Sequence, residues 1–202
     1  AAFGNSNLYF IGAIFGKGDV AFSDANFGKG EVHFSGTNFG DGNVYFSGAN
    51  FGDGDVNFPN VIFGTGEVYF FNTSFGNGNL DFTKTTFADG GMNFTGTTFG
   101  DGTINFSFAN LEESYAIFFN VSFGNGKLDF SGTKFKELLF NPQEIGSNHI
   151  LAHGMSIKRG AVFTLPSSGI SLKSFELFGA SFDGPLFLSG NLGIVPDIRA
   201  TR

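Results

Sequence analysis

The fold is decided by the stretch FGDGNVYFSGAN at residues 39–50, after which Phe51 starts the same pattern again. Related copies follow one another along most of the chain. Each copy contains a step of seven residues between two phenylalanines and then a step of five. A fixed short period of this kind is typical of stacked repeat proteins. The sequence therefore predicts an all-β protein with a β-solenoid fold.

Two phenylalanine series carry the repeat, with a period of twelve residues and an offset of seven. The first is Phe3, Phe15, Phe27, Phe39, Phe51, Phe63, Phe75, Phe87, Phe99, Leu111, Phe123 and Phe135. The second is Phe10, Phe22, Phe34, Phe46, Phe58, Phe70, Phe82, Phe94, Phe106, Phe118 and Phe130. The predicted structural core is Phe15, Phe22, Phe27, Phe34, Phe39, Phe46, Phe51, Phe58, Phe63, Phe70, Phe75, Phe82, Phe94, Phe99 and Phe106.

Each step predicts a very short strand. Val44 precedes Phe46 by two residues and Ala49 precedes Phe51 by two, so each pair shares one face of an extended chain. The residue between them, such as Tyr45, must point outward. Glycine favours sharp corners, which the Phe-Gly-x-Gly and Ser-Gly segments predict. Such strands are stable only when they stack on a neighbouring coil.

The number of sides per coil is left open by the period. Twelve residues could close a flat two-sided coil, and 24 could close a four-sided one. We favour 24, because two rings together with valine and alanine need more room than two flattened strands leave. At about 4.8 Å per coil, roughly eight coils would form a rod near 40 Å long.

Composition narrows the function classes. The chain has 202 residues, no cysteine and a net charge of -7. A disulfide framework and thiolate metal sites are excluded, and direct nucleic-acid binding is disfavoured because such proteins are usually basic. No apolar run is long enough to span a membrane. The compartment stays open, with an extracellular or cell-surface location favoured over a cytoplasmic one.

The candidate sites have simpler structural explanations. His149 and His153 have the i, i+4 spacing of a metal pair, but no third ligand is evident. The turns at residues 40–42 and 52–55 resemble calcium-binding turns, but equivalent turns carry lysine or threonine. We therefore predict no metal, cofactor or catalytic residue.

Two further patterns also follow from the repeat. Threonines recur at Thr85, Thr97 and Thr133, but half of the threonines fall on the inward column, which argues against a flat ice-binding face. Four Asn-x-Ser/Thr sequons need no glycan to explain them, because the repeat itself places Asn before Phe and Ser or Thr after it. They begin at Asn72, Asn93, Asn105 and Asn120.

The short step resembles the pentapeptide-repeat family at Ala25-Asn26-Phe27, Ala49-Asn50-Phe51 and Ala109-Asn110-Leu111. That family has a small residue, then Asn or Asp, then a central Leu or Phe, then two loose positions. The resemblance covers residues 3–135 and implies a right-handed four-sided β-helix. Every second step departs from it, with seven residues instead of five. Family members include DNA-mimicking topoisomerase inhibitors.

Residues 1–135 are thus predicted to form a regular solenoid, and residues 136–202 degenerate coils that end in a cap. The spacing of five and seven persists there through Ile150, Phe175 and Phe187, and also through Ile170. Residues 133–140 could form a helical turn, and residues 111–115 a local bulge.

The leading functional hypothesis is a non-enzymatic structural or interaction solenoid that assembles through its ends into dimers or filaments. We expect the chain to begin inside a repeat, which leaves a sheet edge open to pairing with another chain. A further protein partner fits the same hypothesis. One alternative is a DNA-mimicking modulator of a DNA-binding enzyme such as a type II topoisomerase. The other is an ice- or calcium-binding solenoid.

Overall fold

The computed structural model is a stack of parallel β-strands that coil around a filling of phenylalanine rings. It describes residues 1–146, 148–167, 172–191 and 193–202. Each coil has four sides, because four inward ring columns follow one another before the first column returns one full coil later. We name the sides A, B, C and D after their first rings, which are Phe3, Phe10, Phe15 and Phe22.

The strands of the described residues are numbered β1 to β24 in chain order. Side A contains β9 (Ser74–Phe75), β13 (Thr98–Phe99), β16 (Ser122–Phe123) and β19 (Glu144–Ile145). Side B contains β1 (Leu8–Tyr9), β3 (Val32–His33), β6 (Val56–Asn57), β10 (Leu80–Asp81), β14 (Ile104–Asn105), β17 (Leu128–Asp129), β20 (His149–Leu151) and β22 (Ser174–Glu176). Side C contains β4 (Asn38–Gly40), β7 (Ile62–Phe63), β11 (Thr86–Phe87) and β23 (Ser181–Phe182). Side D contains β2 (Val20–Ala21), β5 (Val44–Tyr45), β8 (Val68–Tyr69), β12 (Met92–Asn93) and β24 (Leu186–Ser189). Three longer strands turn the corner from side C to side D, namely β15 (Asn110–Phe119), β18 (Lys134–Asn141) and β21 (Ser156–Thr164).

The strand register confirms the four-sided coil, whose period is about 24 residues. Val32 pairs with Val56, and Val56 pairs with Leu80. Stacked rings keep the same interval, with centroids 4.7 Å apart between Phe58 and Phe82. This distance matches the spacing of hydrogen-bonded strands, so every ring lies directly above its equivalent in the coil below.

The rings of the two long sides meet in the middle of the coil. Phe46 of side D and Phe58 of side B are 5.7 Å apart and nearly perpendicular, at 79°. Edge-to-face contacts of this kind are favourable for aromatic rings. The interior rings of sides B and D are therefore stacked along the rod and packed edge to face across it.

Burial of the predicted core depends on position in the stack. From Phe27 to Phe106 the predicted rings are buried. Phe15 and Phe22, predicted in the core, are only partly buried. They belong to the first coil, where each stacks on one equivalent ring, Phe39 or Phe46, and has no described ring on its other side.

The short-step corner is a type II turn. The carbonyl of Phe46 accepts the N–H of Ala49 at 2.9 Å, and Gly48 has a φ of 70°. A positive φ at the third position of the turn is what this turn type requires. Asparagine tolerates the same conformation, and Asn60 and Asn72 occupy equivalent corners with φ of 56° and 51°.

Both glycines of the long-step corner lie against the backbone of the coil below, and only the first also has a positive φ. Gly40 has a φ of 70°, which glycine adopts without strain. Gly42 has no positive φ, but a Cβ added to it would overlap the carbonyl oxygen of Gly18 in the coil below. The second glycine is therefore required because two backbones approach closely as coil stacks on coil.

Inward threonines are satisfied by the backbone of the previous coil. Thr73 Oγ1 donates to the Phe46 carbonyl at 2.8 Å, and Thr85 Oγ1 donates to the Phe58 carbonyl at 2.7 Å. Both side chains are buried. Burying a hydroxyl is costly without such a partner, so the bond explains why threonine alternates with alanine and valine at this position.

Residues beyond 135 continue the stack with altered registers. Leu128 pairs with Ile150, a register of 22 residues, and later strands shift by 25. The helical turn suggested for residues 133–140 is wrong, because this segment is β18 and extends the sheet. The bulge suggested for residues 111–115 is confirmed by a register shift between Leu111 and Tyr115.

The spacing analysis of these last coils is correct for some positions and not for others. Ile150 and Phe175 are buried, but each pairs in the valine position rather than the ring position. Phe187 points outward and is 59% exposed, because Leu188 pairs with Phe163 in its place. Ile170 lies outside the described residues.

Candidate interaction surface

The two histidines of the suggested metal pair have separate partners. His149 Nδ1 lies 3.0 Å from Ser174 Oγ, and His153 Nε2 lies 2.7 Å from Glu176 Oε2. No group of three or more His, Asp or Glu side chains in the described part of the chain could hold a metal ion. That part also contains no helix with the length and apolar character of a membrane span.

The aspartates of the acidic turns accept hydrogen bonds from backbone N–H groups of the next coil. Asp53 Oδ1 accepts the N–H of Asn77 at 3.1 Å, and Asp55 Oδ1 accepts the N–H of Asn79 at 2.7 Å. Asn77 in turn accepts the N–H of Asp101 at 3.1 Å. Aspartate and asparagine both supply an acceptor oxygen here, and together they form a ladder of corner hydrogen bonds between successive coils.

The sequons have a turn geometry of their own. Asn93 Oδ1 accepts both the N–H and the hydroxyl of Thr95, at 2.9 and 2.6 Å. Asn105 accepts the N–H of Ser107 in the same way at 2.9 Å. Asn72 and Asn120 instead occupy positive-φ corners. Each sequon thus contains an asparagine that the fold itself requires.

The two long sides carry different outward residues on the same backbone. Along the middle of side B these residues are polar, namely His33, Asn57, Asp81, Asn105 and Asp129. On side D the equivalent positions are Tyr45, Tyr69, Asn93, Ile117, Leu139, Val162 and Phe187. Side D is therefore mainly apolar toward the exterior, and we call this row of seven positions the apolar face.

The apolar face is interrupted along the stack at Asn93. Tyr45 and Tyr69 stack with centroids 5.2 Å apart, and Tyr69 also contacts the ring of Phe71 at 5.2 Å. Further along, Ile117, Leu139 and Val162 are only half-buried, although no described segment covers them. Contiguous exposed apolar surface of this kind commonly marks a site of interaction.

A groove of about 480 Å³ lies in this part of side D. Its apolar lining includes Leu139, Val162 and Phe187, and its polar lining comes from Tyr115 and the ion pair of Glu137 with Arg159. Apolar walls with a few polar groups are typical of binding sites. The arrangement offers shape and apolar contact, and its described lining places no nucleophile beside a base.

Charged residues follow the corner between sides C and D. Lys158 Nζ lies 2.5 Å from Glu113 Oε1, and Lys136 Nζ lies 3.8 Å from Asp89 Oδ1. The hydrogen bond from Lys158 holds the pKa of Glu113 below its usual range. In both of these pairs the carboxylate lies one or more coils nearer the start of the stack and the lysine nearer its end.

Tyr115 links three successive coils beside the apolar face. Its hydroxyl donates to Glu67 Oε2 at 2.6 Å, two coils away. The ring lies over Gly91, where a Cβ would overlap it. Burial, followed by the hydrogen bond to Glu67, raises the pKa of Tyr115 far above that of a free phenol. The missing side chain at Gly91 is therefore what allows Tyr115 to reach Glu67.

Substituting Tyr115 should change the alkaline titration. In the folded state its pKa lies above the unfolded value of about 10, so this contribution to stability is complete below pH 10 and is lost as pH rises through the folded pKa. The Tyr115→Phe protein should lose the part of the tyrosinate absorbance titration that occurs at the highest pH. Its free energy of unfolding should also depend less on pH above 10. Glu67→Gln should keep the titration step but lower its midpoint. Unchanged titration curves in both variants would contradict the contact.

The rings of the first coil are less buried than those of the later coils. Phe3, Phe10, Phe15 and Phe22 pack against the core but are only partly buried. Beside them Ile14 is 81% exposed.

Comparison with known proteins gives little beyond architecture. No protein-family model matches the sequence, and no curated protein matches it. One similar solved structure is HetL, a pentapeptide repeat protein involved in heterocyst differentiation regulation from the cyanobacterium Nostoc sp. strain PCC 7120. The identity is 8%, the match covers 100% of this chain and 87% of that chain, and the TM-score is 0.24. A superposition of this quality carries no argument about function.

The coil itself carries the resemblance instead. Its short sides hold a small residue, a polar residue and a ring, as at Ala49, Asn50 and Phe51. Two such short sides and two long sides close one coil of about 24 residues. The solenoid is pentapeptide-repeat-like. It differs from a plain pentapeptide repeat in its two long sides, and the apolar face lies on one of them.

Sequence reasoning missed the apolar face because it treated all outward positions as one polar column. In a four-sided coil that spans two motifs, alternate long steps belong to opposite sides of the rod. Sorting the outward residues by alternate steps separates Asn57 and Asp81 from Tyr45 and Tyr69. This sorting could have revealed the apolar face from the sequence, but only with the number of residues per coil already known.

Proposed function

We propose that this protein is a non-enzymatic interaction scaffold, with the apolar face of side D as its working surface. The observation that supports it is the contrast between two sides with the same backbone. Side B is polar outward along its middle, whereas side D displays Tyr69, Leu139 and Val162. An exposed apolar row lowers solubility, so its presence on one side only favours a binding role.

Site-specific photo-crosslinking in the organism of origin tests the scaffold role. A photoreactive phenylalanine analogue at position 139 should form covalent adducts with a protein. The same analogue at position 105, on the middle of side B, is the matched control and should form few. Mass spectrometry would identify the adducts. Equal adduct patterns at the two positions, or none at either, would argue against the proposal.

A second candidate is assembly through the ends of the rod, into dimers or filaments. Its support is the partly buried first coil, where the rings of Phe10 and Phe22 and a strand edge lie at the end of the described stack. Open edges and exposed rings favour pairing with another chain. Electron microscopy and light scattering test this. A particle that remains monomeric over a wide concentration range would contradict it.

DNA mimicry is the alternative function that the resemblance to the pentapeptide-repeat family implies. An acidic balance supports it, but Lys17 and Lys29 occupy the same corner position as Asp41 and Asp53, which breaks any regular row of negative charge. Several of the aspartates also accept backbone N–H groups. A supercoiling assay with a type II topoisomerase decides between the two functions. No effect at stoichiometric excess would exclude this alternative.

A further inference from the structure

We propose that a second copy of this chain covers the apolar face, with the two rods side by side and antiparallel. This inference rests on the proposed scaffold role and names the partner. A two-fold axis would run along the strand direction, between the coil that contains Ile117 and the coil that contains Leu139. It inverts the order of the coils while keeping each side-D corner over the same corner of the other copy.

The apolar residues are arranged to match under this axis. In stack order the last six positions of the apolar face are Tyr69, Asn93, Ile117, Leu139, Val162 and Phe187, and inversion places Asn93 over Val162. Inverting this order places Ile117 over Leu139 of the other copy and Tyr69 over Phe187. Aromatic rings then meet at both ends of the contact and aliphatic side chains at its centre. Both pairings favour association.

Charge complementarity argues for a second copy rather than for an unrelated partner. The corner beside the face carries Asp89, Glu112 and Glu113 toward the start of the stack, and Lys136 and Lys158 toward its end. Antiparallel rods place the acidic part of each corner beside the basic part of the other. The parallel arrangement would place like charges together, which disfavours association.

Of the remaining charges at this corner, Arg159 supports the same arrangement. It is 65% exposed and lies with Lys158 opposite Asp89 of the other copy. Glu137 lies 3.9 Å from Arg159 and faces the coil that carries Glu113 in the other copy, and Asp183 faces the coil that carries Glu67. The attraction is therefore concentrated where Lys158 and Arg159 face Asp89, and the two acidic contacts weaken it.

The size of the face limits the strength of the dimer. Six coils at about 4.8 Å and a long side of roughly five residues give a flat area of about 29 Å by 17 Å, or about 490 Å². This is less than the roughly 600–1,000 Å² that stable specific interfaces bury per partner. The dimer should therefore be reversible, dissociate on dilution and stop at two chains, since the symmetry closes the contact.

Sedimentation velocity of the full chain over a wide concentration range tests the proposal. The wild-type protein should form a closed dimer, and Leu139→Glu should abolish it. Asn57→Glu introduces the same charge at the equivalent outward position of side B, and should leave the dimer unchanged. A wild-type protein that stays monomeric, or grows into larger polymers without a dimer plateau, would overturn the inference, as would equal behaviour of the two variants.

A charge exchange tests the antiparallel orientation. One variant combines Glu112→Lys with Glu113→Lys, and the other combines Lys136→Glu with Lys158→Glu. Each alone should raise the dimer dissociation constant at least about tenfold, because like charges then face each other. Mixing the two should restore a heterodimer. Glu112, Glu113 and Lys158 are exposed and Lys136 is half-buried, and circular dichroism would verify that both variants fold. If mixing restores nothing, the orientation is wrong.

The outcomes separate this inference from the scaffold role. If the purified protein is monomeric while photo-crosslinking at position 139 captures a different protein, the second copy is excluded and the scaffold role remains. If position 139 captures nothing and the protein is monomeric, both proposals fail. If position 139 crosslinks to another copy of this chain, both are supported.

Discussion

Replacing Phe58 by alanine should lower the free energy of unfolding by about 3–5 kcal/mol. Phe58 is fully buried between Phe34 and Phe82, with ring centroids 4.9 and 4.7 Å away. It also meets Phe46 edge to face across the coil. The surrounding rings are held by strand pairing and can relax only partly, so a cavity would remain in the middle of the stack.

The matched control is the neighbouring outward residue. Asn57→Ser should change stability by no more than about 0.5 kcal/mol, since the side chain lies on side B and faces solvent. Because stacked repeats depend on nearest neighbours, Phe58→Ala should reduce hydrogen-exchange protection most in the adjoining coils. Equal protection in the two variants would mean that Phe58 does not fill the interior.

Replacing Gly42 by alanine should destabilise the protein by about 1–3 kcal/mol or more, as expected for overpacking. The new methyl group would overlap the Gly18 carbonyl oxygen, and neither partner is a flexible side chain. Two coils would have to separate at this corner, which would strain the strand pairing on both adjoining sides.

Gly18 is the matched control for this substitution. It occupies the same position one coil earlier, has no positive φ, and an added Cβ would have no described atom within 4 Å. Gly18→Ala should be neutral, or stabilising by up to about 1 kcal/mol, because alanine reduces the freedom of the unfolded chain. Urea unfolding of both variants decides the matter. If both substitutions lower the free energy of unfolding equally, the conformational freedom of glycine, and not the close stacking of coils, explains why the second corner position is glycine.

The repeat made the ring columns and corners predictable, because phenylalanine spacing and glycine position are both written in the sequence. The coil size required a volume argument, which proved right. The reason for Gly42 could not be predicted, since its contact with Gly18 exists only once the register between coils is known. Sequence spacing also misplaced Phe187, because the coils beyond residue 135 lose the constant register that makes counting reliable.

The candidate surface was less accessible to sequence reasoning than the fold. Leu139 and Val162 lie in segments without the glycine corners that mark the repeats, so their outward orientation depends on the registers of β18 and β21. The contact of Tyr115 with Glu67 spans two coils and needs the empty space at Gly91. Tertiary register, and not local pattern, decides both features.

Each coil contains two copies of the sequence motif. This restricts how such a protein can change length. Removing residues 75–98 would delete one whole turn and leave every later side chain on its original side. Removing only residues 75–86 would rotate everything downstream by half a turn. Ile117 and Leu139 would then continue the polar row of side B, and Asn105 would continue the row of Tyr45 and Tyr69. Rods that keep a distinct apolar flank can therefore grow or shrink only by pairs of motifs, so their lengths should differ by even numbers of repeats.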